Sequence, residues 1–232
     1  MTLKAFYLTR PAVCDYLPDR TEAKTIVEPD GAEAQVWANI LSRSGFRRSH
    51  NICYVPSCPS CRACVSVRVL AGNFVPSKTM NKTVRKNKSA RLSFVPNIAT
   101  AEQYELFKAY LSARHVGGEM EKMTFEEYRA MIEDSPIETV LLEAREDNRL
   151  IAVMLVDVFD DGLSAVYDFF DPELKKRSVG TFMILELIRL TKERGLPFVY
   201  LGYLIRGLSN MAYKERFGPM EYYVDGEWKT DV

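Results

Sequence analysis

Residues 34–101 contain no aspartate and no glutamate, although they include eleven lysines and arginines. The whole chain of 232 residues has 31 basic and 31 acidic side chains, so its formal net charge of zero conceals this segregation. The carboxylate-free stretch carries +11, and residues 102–232 carry −9. Such a separation predicts a positive surface that binds an anionic partner, and a phosphate backbone is the commonest such partner.

Long apolar runs are missing too. No segment reaches the ~18 consecutive apolar residues of a membrane-spanning helix, so we expect no membrane partner. The N-terminus is interrupted by Arg10 and Pro11 before it could form a secretory signal. The five cysteines are odd in number, which argues against the paired disulfides of a secreted protein. These absences together predict a soluble protein of a reducing compartment, the cytoplasm.

The order of the predicted elements indicates a mixed α/β fold. A capping-box pattern at residues 30–33 predicts a helix that ends at Gly45, and two strands should follow at 46–55 and 64–70. Ser77 can cap a further helix that runs to about Arg91.

The second half is richer in apolar, β-branched segments. Strands are predicted at 138–144 and 150–158, and Asp161-Gly162 is typical of a hairpin turn. A strand, a glycine-containing loop, a helix and a strand then form a βαβ-like unit. We expect two regions, 1–100 and 101–232, with a soft boundary within 92–137.

The helix after Ser77 carries a cationic face. Lys78, Lys82, Arg85 and Lys86 follow helical spacing and share one side. A solvated face without any partner is the alternative interpretation. The lack of nearby carboxylates favours a phosphate-binding surface instead.

Three cysteines, Cys58, Cys61 and Cys64, have Cys-x-x-Cys-x-x-Cys spacing. They could supply three ligands of a zinc ion or an iron–sulfur cluster, with Cys14 or Cys53 as the fourth. Reduced thiols in a tight turn are the alternative. A nucleophilic cysteine is disfavoured because no paired base is evident.

Four groups of residues in this order resemble a known family. They are Cys14-Asp15-Tyr16-Leu17-Pro18; Pro56 to Cys64 with Val67-Arg68-Val69 and Phe74-Val75-Pro76-Ser77; Arg114-His115-Val116-Gly117-Gly118-Glu119-Met120; and Tyr167 to Pro172 with Arg177 to Thr181, Tyr200 to Tyr203 and Met211 to Pro219. Together they resemble the bacterial aspartate/glutamate leucyltransferases, relatives of the eukaryotic arginyl-tRNA–protein transferases. At Leu204 the chain departs from the family, in which an aromatic residue often follows Leu-Gly-Tyr.

The resemblance implies both a fold and an activity. The fold would be an acetyltransferase-like (GNAT) C-terminal core with an appended N-terminal α+β region. The activity would be transfer of leucine from leucyl-tRNA to the N-terminal amine of proteins that begin with Asp or Glu, which creates an N-degron for proteolysis. An aminoacyl ester is already activated, so the reaction needs no ATP and no Ser-His-Asp triad.

The resemblance also suggests roles for individual residues. Tyr203 and His115 are the candidate catalytic residues. Arg68, which looks isolated from other charges, is the first candidate to bind the acidic side chain of the substrate, with Arg85 and Arg114 as alternatives and Tyr167 beside them in the cleft. The tRNA-binding candidates are Lys82, Lys86, Arg177, Ser178, Gly180, Lys214 and Arg216. The metal-ligand candidates are Cys14, Cys58, Cys61 and Cys64.

Two other functions remain open from the residues alone. A GNAT acetyltransferase would use acetyl-CoA, whose pyrophosphate would bind the loop at Arg177–Thr181. A metal-stabilised nucleic-acid-binding module would bind tRNA whether or not the tRNA is aminoacylated.

Overall fold

The structure, a computed structural model, describes residues 4–114 and 117–230. The helices of these residues are α1 (Ala34–Arg43), α2 (Lys78–Lys86), α3 (Ala101–Arg114), α4 (Phe125–Glu133) and α5 (Val179–Glu193). The strands are β1 (Phe6–Leu8), β2 (Ala12–Val13), β3 (Thr21–Glu22), β4 (Lys24–Val27), β5 (Arg47–Ser49), β6 (Ile52–Pro56), β7 (Val65–Leu70), β8 (Arg91–Pro96), β9 (Thr139–Glu146), β10 (Arg149–Phe159), β11 (Gly162–Phe170), β12 (Phe198–Leu204), β13 (Met220–Val224) and β14 (Glu227–Lys229).

An eight-stranded sheet in the order β14-β13-β7-β12-β11-β10-β9-β8 forms the centre of the molecule. Its neighbouring strands are antiparallel except β11 and β12, which are parallel and joined through α5. The predicted βαβ unit is thereby confirmed, and so is the hairpin between β10 and β11, although its turn lies at Asp160 and Asp161 and Gly162 begins β11.

Helices cover both faces of this sheet, because its central strands are apolar on both sides. On one face α5 and α2 pack against residues such as Leu142 and Met154, which are fully buried. On the other face α3 and α4 contribute Phe107, Leu111 and Tyr128 to a second core. Truncation of a fully buried aromatic such as Phe107 to alanine is expected to cost about 3–5 kcal/mol of stability.

A smaller antiparallel sheet, β1-β4-β6-β5, lies in the N-terminal region. Trp37 and Leu41 of α1 pack against it together with Val27 and Cys53. The predicted capping box before α1 is wrong: Asp30 makes no side-chain cap, and a short 3-10 turn at Gly31–Glu33 leads into the helix instead.

The large sheet takes strands from both predicted regions. β7 and β8 come from the first hundred residues, whereas β9 to β14 come from the rest. The predicted division at 100/101 therefore separates the small sheet from much of the core but cuts through the large sheet. None of the helices in the described ranges is both long and apolar enough to cross a bilayer.

Candidate active site

The parallel strands β11 and β12 pair only at their beginnings, where Gly162–Ser164 lie beside Phe198–Tyr200. Beyond that point each strand has a register shift against its other neighbour. In β11, Ala165 and Tyr167 pair with consecutive residues of β10, so Val166 between them is left unpaired as an extra residue. In β12, Leu201 is likewise left out of the pairing with β7. Such bulges bend and twist strands. The two strands consequently separate, and a gap opens in the middle of the sheet.

A cavity of about 520 Å³ lies beside this gap, at the N-terminus of α5. Its walls come from α3, β11, the loop before α5, α5 itself and the segment after β12. The lining residues are Tyr110, Arg114, Asp168, Phe170, Lys175, Ser178, Gly180, Thr181, Ile184, Asn210 and Tyr213. The lining thus combines aromatic and aliphatic side chains with polar and charged ones.

The start of α5 is shaped to approach this cavity closely. Ser178 has a left-handed backbone with φ of 56°, which turns the chain into the helix. A Cβ atom at Gly180 would lie 2.9 Å from Cε1 of Phe170 and 3.3 Å from Oδ2 of Asp168. Only glycine therefore fits here without a shift of the cavity wall.

Asp168 is the one acidic residue among the cavity-lining residues that the structure describes. Burial raises its pKa to about 6, while the nearby cations of Lys214 and Arg114 lower it. A carboxylate with this pKa is largely ionised at neutral pH and still basic enough to accept a proton.

Lys214 lies next to this carboxylate, on the 3-10 turn Ala212–Phe217. It is buried, and its Nζ donates a hydrogen bond to the carbonyl of Tyr203. Burial and the positive charge of Arg47 lower its pKa to about 7, and Asp168 opposes the shift. Lys214 was expected among the tRNA-binding cations; the structure buries it, so it does not belong to the exposed cationic surface.

Arg114 lies at the cavity from the end of α3. Its guanidinium carbon is 5.5 Å from the centre of the Phe170 ring, and its charge lowers the pKa of both Asp168 and Tyr110. Desolvation is nevertheless the largest effect on Tyr110 and raises its pKa. The side chain of Arg114 is exposed, so it can meet an anion that enters the cavity.

Other predicted tRNA-binding residues lie at or just before the start of α5. Ser178 and Gly180 line it, as expected for the loop before α5. Arg177 is held in place: it donates to Glu146 at 2.7 Å and to Asn87 at 3.0 Å, and its Nη2 is buried without a hydrogen-bond partner among the described residues.

The cationic face of α2 adjoins the turn before α5, beside the cavity. Lys86 Nζ donates to the carbonyl of Lys176 at 2.8 Å, which joins α2 to the turn before α5, and Lys175 lines the cavity. We call the exposed side chains of this area the basic face; they are Lys78, Lys82, Arg85, Lys86, Lys175 and Lys176. Arg216 is also exposed, on the turn that carries Lys214.

The premise for Arg68 was wrong, because it is not isolated from other charges. Its guanidinium donates to Glu221 at 2.7 Å and lies 3.5 Å from the centre of the Phe198 ring and 4.2 Å from that of Trp228. It is only 8% exposed. These contacts occupy it at the junction of β7, β12 and β13, outside the cavity lining.

Two predicted aromatic residues also face away from the cavity. The Tyr203 hydroxyl donates to the carbonyl of Tyr54 at 2.8 Å, and burial raises its pKa. Tyr167 packs with Phe107 and Phe169 in the core under α3, because it alternates with Asp168 along β11. His115, the other catalytic candidate, lies outside the described residues.

The cysteine loop forms a separate pocket of about 280 Å³ that Cys58, Cys61 and Cys64 help to line. All five cysteines are free thiols, and Cys14 is buried nearby. Burial raises the pKa of Cys64 to about 11, and interactions with Cys14, Cys58 and Cys61 add to the shift. Within the described ranges no group of three or more His, Cys, Asp or Glu side chains is arranged to hold a metal ion. The four thiols are thus neighbours without forming a ligand sphere.

Sequence reasoning missed Asp168 and Arg47. Asp168 interrupts the aromatic run Tyr167-Asp168-Phe169-Phe170, and a carboxylate inside an apolar strand is a signal that could have been used. Arg47 carries no comparable local signal.

Known proteins resemble this chain over nearly its whole length. Residues 12–82 match the family described as arginine-tRNA-protein transferase, N terminus, and residues 102–224 match the corresponding C terminus. A protein of Gluconacetobacter diazotrophicus named aspartate/glutamate leucyltransferase is 49% identical over 224 residues, which cover 96% of this chain and 86% of that protein. Its namesake from Paramagnetospirillum magneticum is 48% identical over 225 residues, which cover 97% and 92%.

Solved structures show a similar fold. L-PGS from Bacillus licheniformis superposes with a TM-score of 0.50 at 10% identity, over 79% of this chain and 55% of that one. The C-terminal domain of a putative lysylphosphatidylglycerol synthetase from Agrobacterium fabrum gives 0.51 at 13% identity, over 82% and 60%. At such identities the likeness concerns the fold alone, and it agrees with the expected acetyltransferase-like core.

Proposed function

The chain belongs to the arginine-tRNA-protein transferase family, and from this we propose that it transfers leucine from leucyl-tRNA to the N-terminal amine of proteins that begin with Asp or Glu. The names and near-complete coverage of its relatives support the choice of leucine and of acidic acceptors. The product would carry an N-terminal leucine and serve as an N-degron.

The observation that carries the chemistry is the carboxylate of Asp168 in a cavity at the start of a long helix. Both reacting molecules bring an amine to the reaction: the acceptor has its N-terminal amine, and the leucyl ester has its own α-amino group. A carboxylate among aromatic walls binds an ammonium well, because little water competes for it.

The reaction joins the acceptor nitrogen to the ester carbonyl carbon and breaks the bond between that carbon and the ribose oxygen. The acceptor amine enters mostly protonated, since an α-amine has a pKa of about 7.7–8.0. We assign its proton to the Asp168 carboxylate, which passes it to the neutral amine of Lys214. As the amide bond forms, the nitrogen loses a second proton, which the departing ribose oxygen takes up. The first proton leaves Lys214 for solvent, so the reaction releases one proton when the acceptor enters as an ammonium. No ATP is required because the ester is already activated.

Arg114 is our candidate for the acidic side chain of the acceptor. It is exposed at the cavity and carries a charge that lies near Asp168. A guanidinium can bind a carboxylate through two parallel hydrogen bonds. A neutral first residue in the acceptor would leave this cation without a partner, which gives selectivity for Asp and Glu.

The basic face is proposed to bind the phosphates of the tRNA. It leads from α2 across the turn before α5 to Lys175 at the cavity, so a strand bound along it would deliver its 3′ end to Asp168. Binding of this kind releases counterions and is therefore strong at low salt and weaker at high salt.

We further propose that Cys14, Cys58, Cys61 and Cys64 hold zinc or an iron–sulfur cluster; since they form no ligand sphere in this structure, their side chains would have to move together on binding. The support is the neighbourhood of four thiols and the preference of these metals for thiolate ligands. A bound metal would stabilise the N-terminal region, and we route no step of the reaction through it.

One experiment tests the function directly. The purified protein is mixed with leucyl-tRNA and with peptides that differ only in a first residue of Glu, Asp, Gly or Ala, and each peptide is weighed by mass spectrometry. We expect the Glu and Asp peptides alone to gain one leucyl residue. Equal modification of all four peptides, or of none, would contradict the proposal. Labelled acetyl-CoA in a parallel reaction tests the acetyltransferase alternative.

A further inference from the structure

Arg47 reaches from the small sheet into the gap of the large one. It lies on β5, and its Nη2 donates a hydrogen bond to the carbonyl of Val166, 119 residues away. Val166 is the extra residue of the bulge in β11, and β12 has already separated from β11 at this level. The guanidinium thus takes the place of the missing strand-to-strand hydrogen bond.

The opposite wall of the gap is built around the same side chain. Gly202 of β12 has a φ of 72°, and a Cβ atom there would lie 2.9 Å from Nη1 and 3.2 Å from Cδ of Arg47. A glycine at this position therefore serves two purposes: it permits the left-handed backbone and leaves room for the guanidinium.

The guanidinium also acts on the groups beside the cavity. Arg47 lowers the pKa of Lys214, and its charge acts on Tyr213 as well. The groups that face Lys214 are Arg47 from β5, Asp168 from β11 and the carbonyl of Tyr203 from β12. The aromatic hydroxyls of Tyr110 and Tyr213, together with the cation of Arg114, face Asp168.

We propose that Arg47 is a positioning residue of the transfer reaction, one that fills the gap between β11 and β12 and holds a fixed positive charge next to the amine of Lys214. The role rests on the proposed function, in which Lys214 takes the proton from Asp168. A fixed cation and a carboxylate that both act on Lys214 favour a lysine that can receive and release a proton near neutral pH. The N-terminal region thereby contributes directly to chemistry in the core.

The test follows the Lys214 amine itself. Protein labelled with ¹⁵N-lysine is titrated by NMR, with the Lys214 signal assigned from its loss in Lys214→Met. In Arg47→Gln we expect the titration of Lys214 to move upward by roughly 0.5–1 pH unit, because a neighbouring like charge has been removed. In Arg47→Lys, which keeps the charge, it should stay near the wild-type position. Arg43→Gln, which alters an arginine of the same region that pairs with Asp160 on the surface, is the control and should change nothing.

Kinetics then connect the titration to the reaction. The acid limb of the kcat profile should move upward in Arg47→Gln by the same amount, with KM for leucyl-tRNA changed by less than about threefold, since the basic face is intact. A structural role alone would lower kcat without moving the limb. An unshifted Lys214 titration in folded Arg47→Gln would overturn the proposal, as would an equal shift in Arg47→Lys.

If Arg47→Gln does not fold, Gly202→Ala tests the same proposal. The added Cβ pushes the guanidinium out of the gap without deleting it, so the titration of Lys214 should again move upward, and an unchanged titration refutes the inference. If the wild-type protein transfers no leucine, the proposed function fails, whereas the NMR titration still judges the coupling between Arg47 and Lys214.

Discussion

Replacement of Asp168 by asparagine should stabilise the folded protein at pH 8 and abolish most of its activity. Burial raises the pKa of this carboxyl from 3.8 to about 6, so ionised Asp168 is less favourable in the folded protein than in the unfolded chain. Each unit of pKa corresponds to about 1.36 kcal/mol, which puts the cost of ionisation near 3 kcal/mol at most. The side chain is partly exposed, and screening by water reduces this cost to about 1–2 kcal/mol.

The dependence on pH follows from the direction of the shift. The folded protein binds the proton of Asp168 more tightly than the unfolded chain does, so the wild type loses stability as the pH rises from about 4 through about 6. Asparagine resembles the protonated acid and avoids this loss. At pH 8 Lys214, with a pKa of about 7, is mostly neutral, so the attraction that removal of the carboxylate forfeits comes mainly from Arg114, and the raised pKa of Asp168 already includes it.

Thermal unfolding at two pH values measures the effect. At pH 8 we expect Asp168→Asn to melt several degrees above the wild type, since about 1 kcal/mol corresponds to 2–4 °C in a protein of this size. At pH 4 the difference should have nearly vanished, because the carboxyl is then protonated in the folded protein and about half protonated in the unfolded chain. Leucyl transfer should fall by about 10²–10⁴-fold, the usual contribution of a positioned acid or base. Asp160→Asn, which removes an exposed carboxylate, is the control and should change neither quantity.

Two results would refute this reasoning. An Asp168→Asn protein that is less stable at both pH values would mean that the carboxylate accepts structural hydrogen bonds. A variant with near-normal transfer would mean that Asp168 does not take the proton of the acceptor amine.

Three further predictions concern the other parts of the site. Neutralising Lys82, Arg85 and Lys86 of the basic face should weaken tRNA binding. The slope of log affinity against log salt concentration should fall by about 0.7–0.9 for each phosphate that is no longer neutralised. The control, Lys192→Gln at the far end of α5, should leave this slope unchanged. Cys61→Ser should lower the melting temperature and remove bound zinc or the absorbance of an iron–sulfur cluster. The control, Cys53→Ser in the small sheet, should keep the metal. An active protein without metal after both aerobic and anaerobic purification would exclude the metal site. Gly180→Ala should reduce kcat by about tenfold or more, because its Cβ collides with the cavity wall. The control, Gly72→Ala, has open space around the added Cβ and should be neutral. Equal kcat values for the two variants would contradict the placement of the reaction in this cavity.

Local patterns in the sequence were sufficient for much of the fold. Ser77 caps α2 as predicted, since its side chain accepts a hydrogen bond from the backbone N–H of Met80, and the apolar runs before and after Glu146 form a pair of central strands. These features depend on residues a few positions apart, and such periodicity is visible in a single chain. The carboxylate-free stretch likewise led to the basic face, because helical spacing fixes which cations share a side.

The chemistry of the site depended on the approach of distant segments. Lys214 looks like a surface cation by its neighbours in sequence, yet the core buries it beside Asp168. Arg68 looks isolated, yet β13 brings Glu221 to it from 153 residues away. Arg47 gains its role only because two bulges separate β11 from β12 and Gly202 leaves space. Burial and the approach of charges across the fold set these pKa values, and neither follows from local spacing, so only the tertiary structure decided which residues meet at the cavity.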